Sequence, residues 1–167
     1  LAIARHMQDE QGWQVRLILG HEGGDLAGEA DNLARDILLH PDEIRLRRAR
    51  ALIRATPARS PEDERLKLQA EVQLLREAGQ YQQAYDLQGK VVAMAPQDND
   101  LVYDQAMLAD KVGKPQDMER LLRGIIARKP DYHHALNALG FSLADRGVRL
   151  PEAKALITKA LEYAPED

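Results

Sequence analysis

His133 and His134, with Asp131 just upstream, are the residues that most invite a chemical reading. Imidazole and carboxylate groups are common ligands of a divalent metal. Adjacent helix residues point about 100° apart, however, so the two rings are not expected to converge on one ion. No His-x-x-x-His spacing accompanies them, and Asp131 is better used as the cap of the helix that follows. His6, His21 and His40 are scattered. As nucleophiles the chain offers Ser60 and Ser142; the first fits a helix cap, and the second falls inside a helix with no nucleophile-elbow sequence around it. Gly20-His-Glu-Gly-Gly24 is a turn without the Lys-Ser or Lys-Thr of a phosphate loop. Asp and Glu fall on expected solvent faces. The sequence therefore points to no catalytic residue, no metal site and no cofactor, and any enzymatic effect is assigned to a bound partner.

A basic run, Arg45, Arg47, Arg48, Arg50, Arg54 and Arg59, points in several directions on a helix and reads as a solvated face. The competing reading is an anionic partner such as lipid headgroups or nucleic acid, whose binding would fall steeply with salt. A net charge of −4 argues against nucleic acid as the main partner.

The elements that carry these residues repeat. Pro96, Pro130 and Pro165 follow one another at 34 and 35 residues, a period that marks stacked helical hairpins. Leu68, Val72 and Leu75 recur as Val102, Ala106 and Ala109, then as Leu136, Gly140 and Leu143. Gly79 and Ala84 recur as Gly113 and Met118, then as Gly147 and Ala153. Ser60, Pro61 and Asp63 form a helix start; Asp98 or Asn99 caps the next hairpin and Asp131 the last. Small residues at Ala84, Ala106, Gly140 and Ala153 suit close helix crossings. Ala153, Leu156, Ile157, Ala160 and Leu161 form the packing face of the final helix.

The expected fold is all-α, with antiparallel hairpins stacked as an α-solenoid. Its units are an irregular helical segment over 1–59 and repeats 60–96, 97–130 and 131–167. Within the irregular segment, 10–41 fits a degenerate repeat through Trp13, Leu17, Gly24, Ala30, Leu33 and Pro41. A further helix, about 42–56, carries Ile44, Ala49, Leu52 and Ile53. The two are either a degenerate unit or a two-helix insertion.

Composition agrees with helix-on-helix packing. Hydrophobic residues make up 44% of the 167, but aromatics only 4%, so the interior is built from Leu, Ala, Ile and Val. The absence of cysteine excludes disulfides and thiolate metal sites and leaves the compartment open. A start at Leu1 suggests a piece of a longer protein, with any signal or lipid anchor upstream. No apolar run approaches the roughly 20 residues that span a bilayer.

The in-phase pattern resembles tetratricopeptide repeats, most clearly in Leu136-Asn-Ala-Leu-Gly140, Leu143, Ala153, Ala160 and Pro165. The resemblance implies a right-handed superhelix that binds proteins. More narrowly, Ala135 to Arg146 with Leu150 to Ala164 resembles repeats of proteobacterial envelope proteins. Within that group it is similar to the pseudomonad outer-membrane lipoprotein adaptors of a periplasmic carboxyl-terminal processing protease. That resemblance implies a periplasmic, outer-membrane-anchored adaptor that presents cell-wall hydrolases to the protease; a cytoplasmic location stays open.

The resemblance also implies that the first helix of each hairpin lines a concave groove. On this chain the groove positions are Gln69, Gln73 and Arg76, then Tyr103, Met107 and Asp110, then Asn137, Phe141 and Ala144. Tyr103, Met107 and Phe141 are apolar for solvent positions and suit a helix or extended peptide; Phe141 is alternatively packed core. Relatives that grip acidic chaperone tails need Asn and basic residues where this chain has Gln73, Met107 and Phe141, so that mode is not expected. The competing function is structural: self-association, or assembly of a larger envelope complex through Leu156, Leu161 and Tyr163.

Overall fold

The computed structural model describes residues 41–164. The chain divides into two compact units, 1–49 and 50–167. The degenerate repeat expected over 10–41 lies outside the described residues except for Pro41, as do His6, His21, His40 and Pro165.

Helix α1, Pro41–Ala55, begins one residue earlier than expected. Its first nine residues are what is described of the first unit. There Leu46 is the buried residue, while Arg45 and Arg47 pair along the helix with Asp42 and Glu43. Past the unit boundary, Leu52 does not belong to a buried face: it is 65% exposed.

Six further helices build the second unit: α2 Pro61–Glu77, α3 Tyr81–Met94, α4 Asn99–Lys111, α5 Pro115–Arg128, α6 His133–Asp145 and α7 Leu150–Tyr163. They form three antiparallel hairpins, α2 on α3, α4 on α5 and α6 on α7, joined through α3 on α4 and α5 on α6.

The sequence explains where these helices begin and end. Ser60 Oγ accepts from the Asp63 N–H at 3.0 Å, and Asp63 Oδ2 accepts in return from the Arg59 N–H at 2.9 Å. Asp98, not Asn99, caps α4 by accepting from the N–H groups of Asp100 and Leu101. Asp131 does not cap α6. That helix starts one residue later than an Asp131 cap implies, at His133, with Tyr132 at the cap position: its hydroxyl is held on Asp100 while its carbonyl accepts the first helical bonds, from Ala135 and Leu136. Each hairpin turns through a left-handed glycine, Gly79, Gly113 or Gly147, with φ between 65° and 70°. The same long bond closes each turn: Gln80 N–H to Leu75 O, Lys114 N–H to Ala109 O, and Val148 N–H to Leu143 O. The extra residue of the third turn lets Arg149 take a left-handed conformation before Pro151 enters α7.

Two apolar clusters fill the interior. Val72, Leu75, Ala84, Val91, Leu101 and Leu108 make one. Val102, Leu122, Ile125, Leu139 and Leu143 lie at the heart of the other. Met118, in the place of an alanine, is accommodated in the second. On α7 the packing face is narrower than expected: Ala153 and Ala160 are buried, but Leu161 is 47% exposed.

One position decides how each hairpin meets what precedes it. Glu71, Gln105 and Leu139 are equivalent in the repeat, and all are buried. Leu139 joins the apolar cluster. Gln105 Nε2 donates 3.3 Å to the carbonyl of Tyr85 on α3. Glu71 accepts from Arg50 Nε at 2.8 Å and from Arg54 Nε at 3.2 Å. This corrects two expectations: Arg50 and Arg54, four apart on α1, converge on one carboxylate, and Glu71 is not on a solvent face. Burial pushes the Glu71 carboxyl up, but the bonds from Arg54 and Arg50 outweigh it and hold the group below its ordinary value.

A second ionic cluster ties α5 to the third turn and α7. Glu119 accepts from Arg149 Nη2 at 2.6 Å and from Arg123 Nε at 2.9 Å, and Arg123 reaches Glu152 at 2.7 Å. The bonds from Arg149 are the main reason the Glu119 carboxyl sits at about 2 instead of 4.5. A depressed carboxylate stabilises the fold above its unfolded value and loses that contribution as pH falls through its folded value. Urea denaturation should therefore show Glu119→Gln to be about 1–2 kcal/mol less stable at neutral pH, after discounting for partial exposure. The deficit should shrink between pH 4.5 and about 2. A constant deficit across that window would remove Glu119 from the acid response.

Candidate protein-binding groove

The first helices of the hairpins present the nine expected groove positions in three settings. On α2, Gln69 is half-buried, Gln73 donates to Glu77 at 2.8 Å, and Arg76 lies 3.8 Å from Asp104 of α4. On α4, Tyr103 and Met107 are half-buried against the second apolar cluster, and Asp110 is exposed. On α6, Asn137, Phe141 and Ala144 are exposed. Phe141 is not packed core: 67% of its surface is accessible.

A cleft of about 330 Å³ between α4 and α6 brings together Tyr103, Met107, Asp110, Asn137 and Phe141. Gln69, Gln73, Arg76 and Ala144 do not line it. Sequence reasoning missed His134, Ser142 and Asp145, which do. A signal was present, because His134, Ala138, Phe141 and Asp145 follow at intervals of four, three and four and share one helix face.

Aromatic contacts stiffen one end of this cleft. The rings of Tyr103, Tyr132 and His134 stand about 6 Å apart as a triangle, with centroid distances of 6.0, 6.0 and 5.9 Å. The Tyr132 hydroxyl donates 2.6 Å to Asp100 Oδ1, and burial with that bond pushes the phenol well above its usual range. Burial likewise raises Tyr103 and the carboxyl of Asp104, the latter against the pull of Arg76.

The His133 and His134 rings lie closer than a 100° divergence implies, 4.0 Å between centroids. Even so, among the described residues no group of three or more His, Asp or Glu side chains is placed to hold a metal ion. Nor is any described helix long and apolar enough to cross a membrane.

Three glycine-turned hairpins with small residues at their crossings decide the architecture, and solved structures share it. MamA from Desulfovibrio magneticus RS-1 superposes with a TM-score of 0.59 at 23% identity, over 86% of this chain and 78% of that one. YrrB, a TPR protein with an unusual peptide-binding site, gives 0.56 at 17% identity, over 99% of this chain and 76% of that one. The chain has the tetratricopeptide-type fold. In sequence, the chain is similar to the TPR repeat-containing protein PA4667 of Pseudomonas aeruginosa, 41% identical over 97 residues. That match covers 58% of this chain and 16% of the relative, so the chain spans about a sixth of the curated protein it resembles. No family model matches the chain.

Proposed function

We propose that the chain is a non-catalytic protein-binding scaffold that seats an apolar segment of its partner in the cleft between α4 and α6. The observation that carries this reading is Phe141, a large aromatic left 67% exposed beside half-buried Tyr103 and Met107. Such a ring gains by being covered, and aromatic anchors set into a pocket dominate the energetics of protein interfaces. The peptide-binding site of YrrB, on a similar fold, is consistent with it. Within this reading the chain is an adaptor anchored at the outer membrane on its periplasmic side. There it presents cell-wall hydrolases to a carboxyl-terminal processing protease, as the resemblance of Ala135 to Ala164 to envelope adaptors implies.

The test is to immobilise the protein, recover partners from a periplasmic and membrane extract, and identify them by mass spectrometry. Phe141→Ala is the clean variant, because an exposed ring contributes little to folding; stability should stay within about 0.5 kcal/mol. Capture of a protease or wall hydrolase should fall at least about thirtyfold, the effect of losing an interface anchor. Adding Tyr103→Ala should deepen the loss. Recovery of the protein alone, unaffected by either substitution, would sink the groove assignment.

That negative result would favour a second reading, self-association. Leu161 and Tyr163 at the end of α7 are 47% and 48% exposed, an apolar edge that another copy could cover.

A further inference from the structure

The cleft is charged unevenly. Asp110 lies in the last turn of α4 and Asp145 is the final residue of α6, and both line it. The C-terminal end of a helix already carries partial negative charge, so a carboxylate there adds to the field instead of cancelling it. The last turn of α6 holds no basic residue. Among the described residues neither carboxylate is held by a hydrogen bond or an ion pair.

The nearby cations are engaged by other groups. Arg146 lines the cleft, but its Nε donates 3.0 Å to the Ser142 carbonyl and its Nη2 stands 3.6 Å from Glu119. Lys114 lies over the Tyr85 ring, 4.3 Å from its centroid. Lys111, on the same turn as Asp110, is not among the residues lining the cleft. The apolar floor of Met107 and Phe141 thus ends at two unpaired carboxylates, placed where they cost α4 and α6 stability.

We infer that the occupant of this cleft is a peptide segment carrying a lysine or arginine beside its apolar anchor, the cation being received by Asp110 and Asp145. The inference rests on the groove reading above and adds the chemical class of the partner. Apolar contact on Phe141 and Met107 supplies affinity, and the carboxylates select among apolar segments by charge. An acidic flank would be repelled by two like charges.

Random peptides displayed on phage, selected against the protein and counter-selected against Phe141→Ala, test this directly. Enriched peptides should carry Leu or an aromatic residue with Lys or Arg close by. Synthetic copies should bind about tenfold more tightly than counterparts with Glu at the basic position, as fluorescence anisotropy reads at low salt. Raised salt should shrink that ratio. Asp110→Asn/Asp145→Asn should bring it close to one while keeping Phe141-dependent binding. Enrichment that depends on Phe141 but favours neutral or acidic flanks would overturn the charge inference and leave the groove standing. No Phe141-dependent enrichment would overturn the groove reading and this inference with it.

Discussion

Leu139→Ala should cost the protein about 3–4 kcal/mol, although it removes a single side chain of one helix. The Leu139 side chain is fully buried and shares its cluster with Leu122, Ile125 and Leu143. Truncation removes the transfer free energy of the lost carbons and leaves a cavity that two packed layers of helix cannot close, a combination worth roughly 2–5 kcal/mol. Because Leu139 sits where α6 meets the preceding hairpin, the loss should appear as a lower urea midpoint and as faster hydrogen exchange in both α5 and α6. A loss below about 1 kcal/mol would mean that this interface is loosely packed. Phe141→Ala, two residues along, provides the control, since it removes more atoms with almost no expected effect on folding.

Gly140→Leu, the residue between them, should be comparably costly, about 3 kcal/mol or more. A Cβ at Gly140 would lie 2.7 Å from Ile157 Cγ1, 3.0 Å from the Ala153 carbonyl oxygen and 3.2 Å from Leu156 Cβ. Ile157 can change rotamer, but the carbonyl of Ala153 moves only if α7 moves away from α6. Overpacking of this kind costs about 1–3 kcal/mol for small additions and more for a whole isobutyl group. Even Gly140→Ala should lose about 1 kcal/mol after allowing for the better helix propensity of alanine. Gly124→Ala should do the reverse. Its Cβ would meet only the end of Arg128 at 3.7 Å, so stability should rise by about 0.5–1 kcal/mol. Thermal and urea denaturation of the two alanine variants should give opposite signs. A stabilised Gly140→Ala would show that α6 and α7 are not in close contact there.

These neighbours show what the sequence made legible. The spacing of Leu136, Gly140 and Leu143 placed a buried stripe, and glycine in phase with alanine marked a close crossing. The same frame put Phe141 on the opposite side, where it is exposed. Turns were readable because left-handed backbone favours glycine at Gly79, Gly113 and Gly147. What periodicity could not carry was any feature that depends on a partner far along the chain. Asp131 has the right chemistry for a cap, yet the start of α6 is set by Tyr132 bonding Asp100, more than thirty residues upstream. Glu71 looked like a solvent residue because Arg50 and Arg54 lie on a different helix. The lining of the cleft was legible in outline on α4 and α6, in Tyr103, Met107, Asp110, Asn137 and Phe141. Of its two carboxylates Asp110 was among the positions carried over from the resemblance, whereas Asp145 was missed because it lies one residue past Ala144, the last of them.

The differing chemistry at Glu71, Gln105 and Leu139 has a consequence for assembly order. Each hairpin's docking edge is matched to its own neighbour: two guanidiniums for the first, the Tyr85 carbonyl within α3 for the second, an apolar layer for the third. Transposing the last two hairpins would take from the Gln105 amide its bond to the Tyr85 carbonyl and set Leu139 against α3 in its place. The hairpins share one frame, but they are not interchangeable bricks. Their succession along the chain is written into the seams, so a shuffled gene would encode the same helices with mismatched partners at each junction.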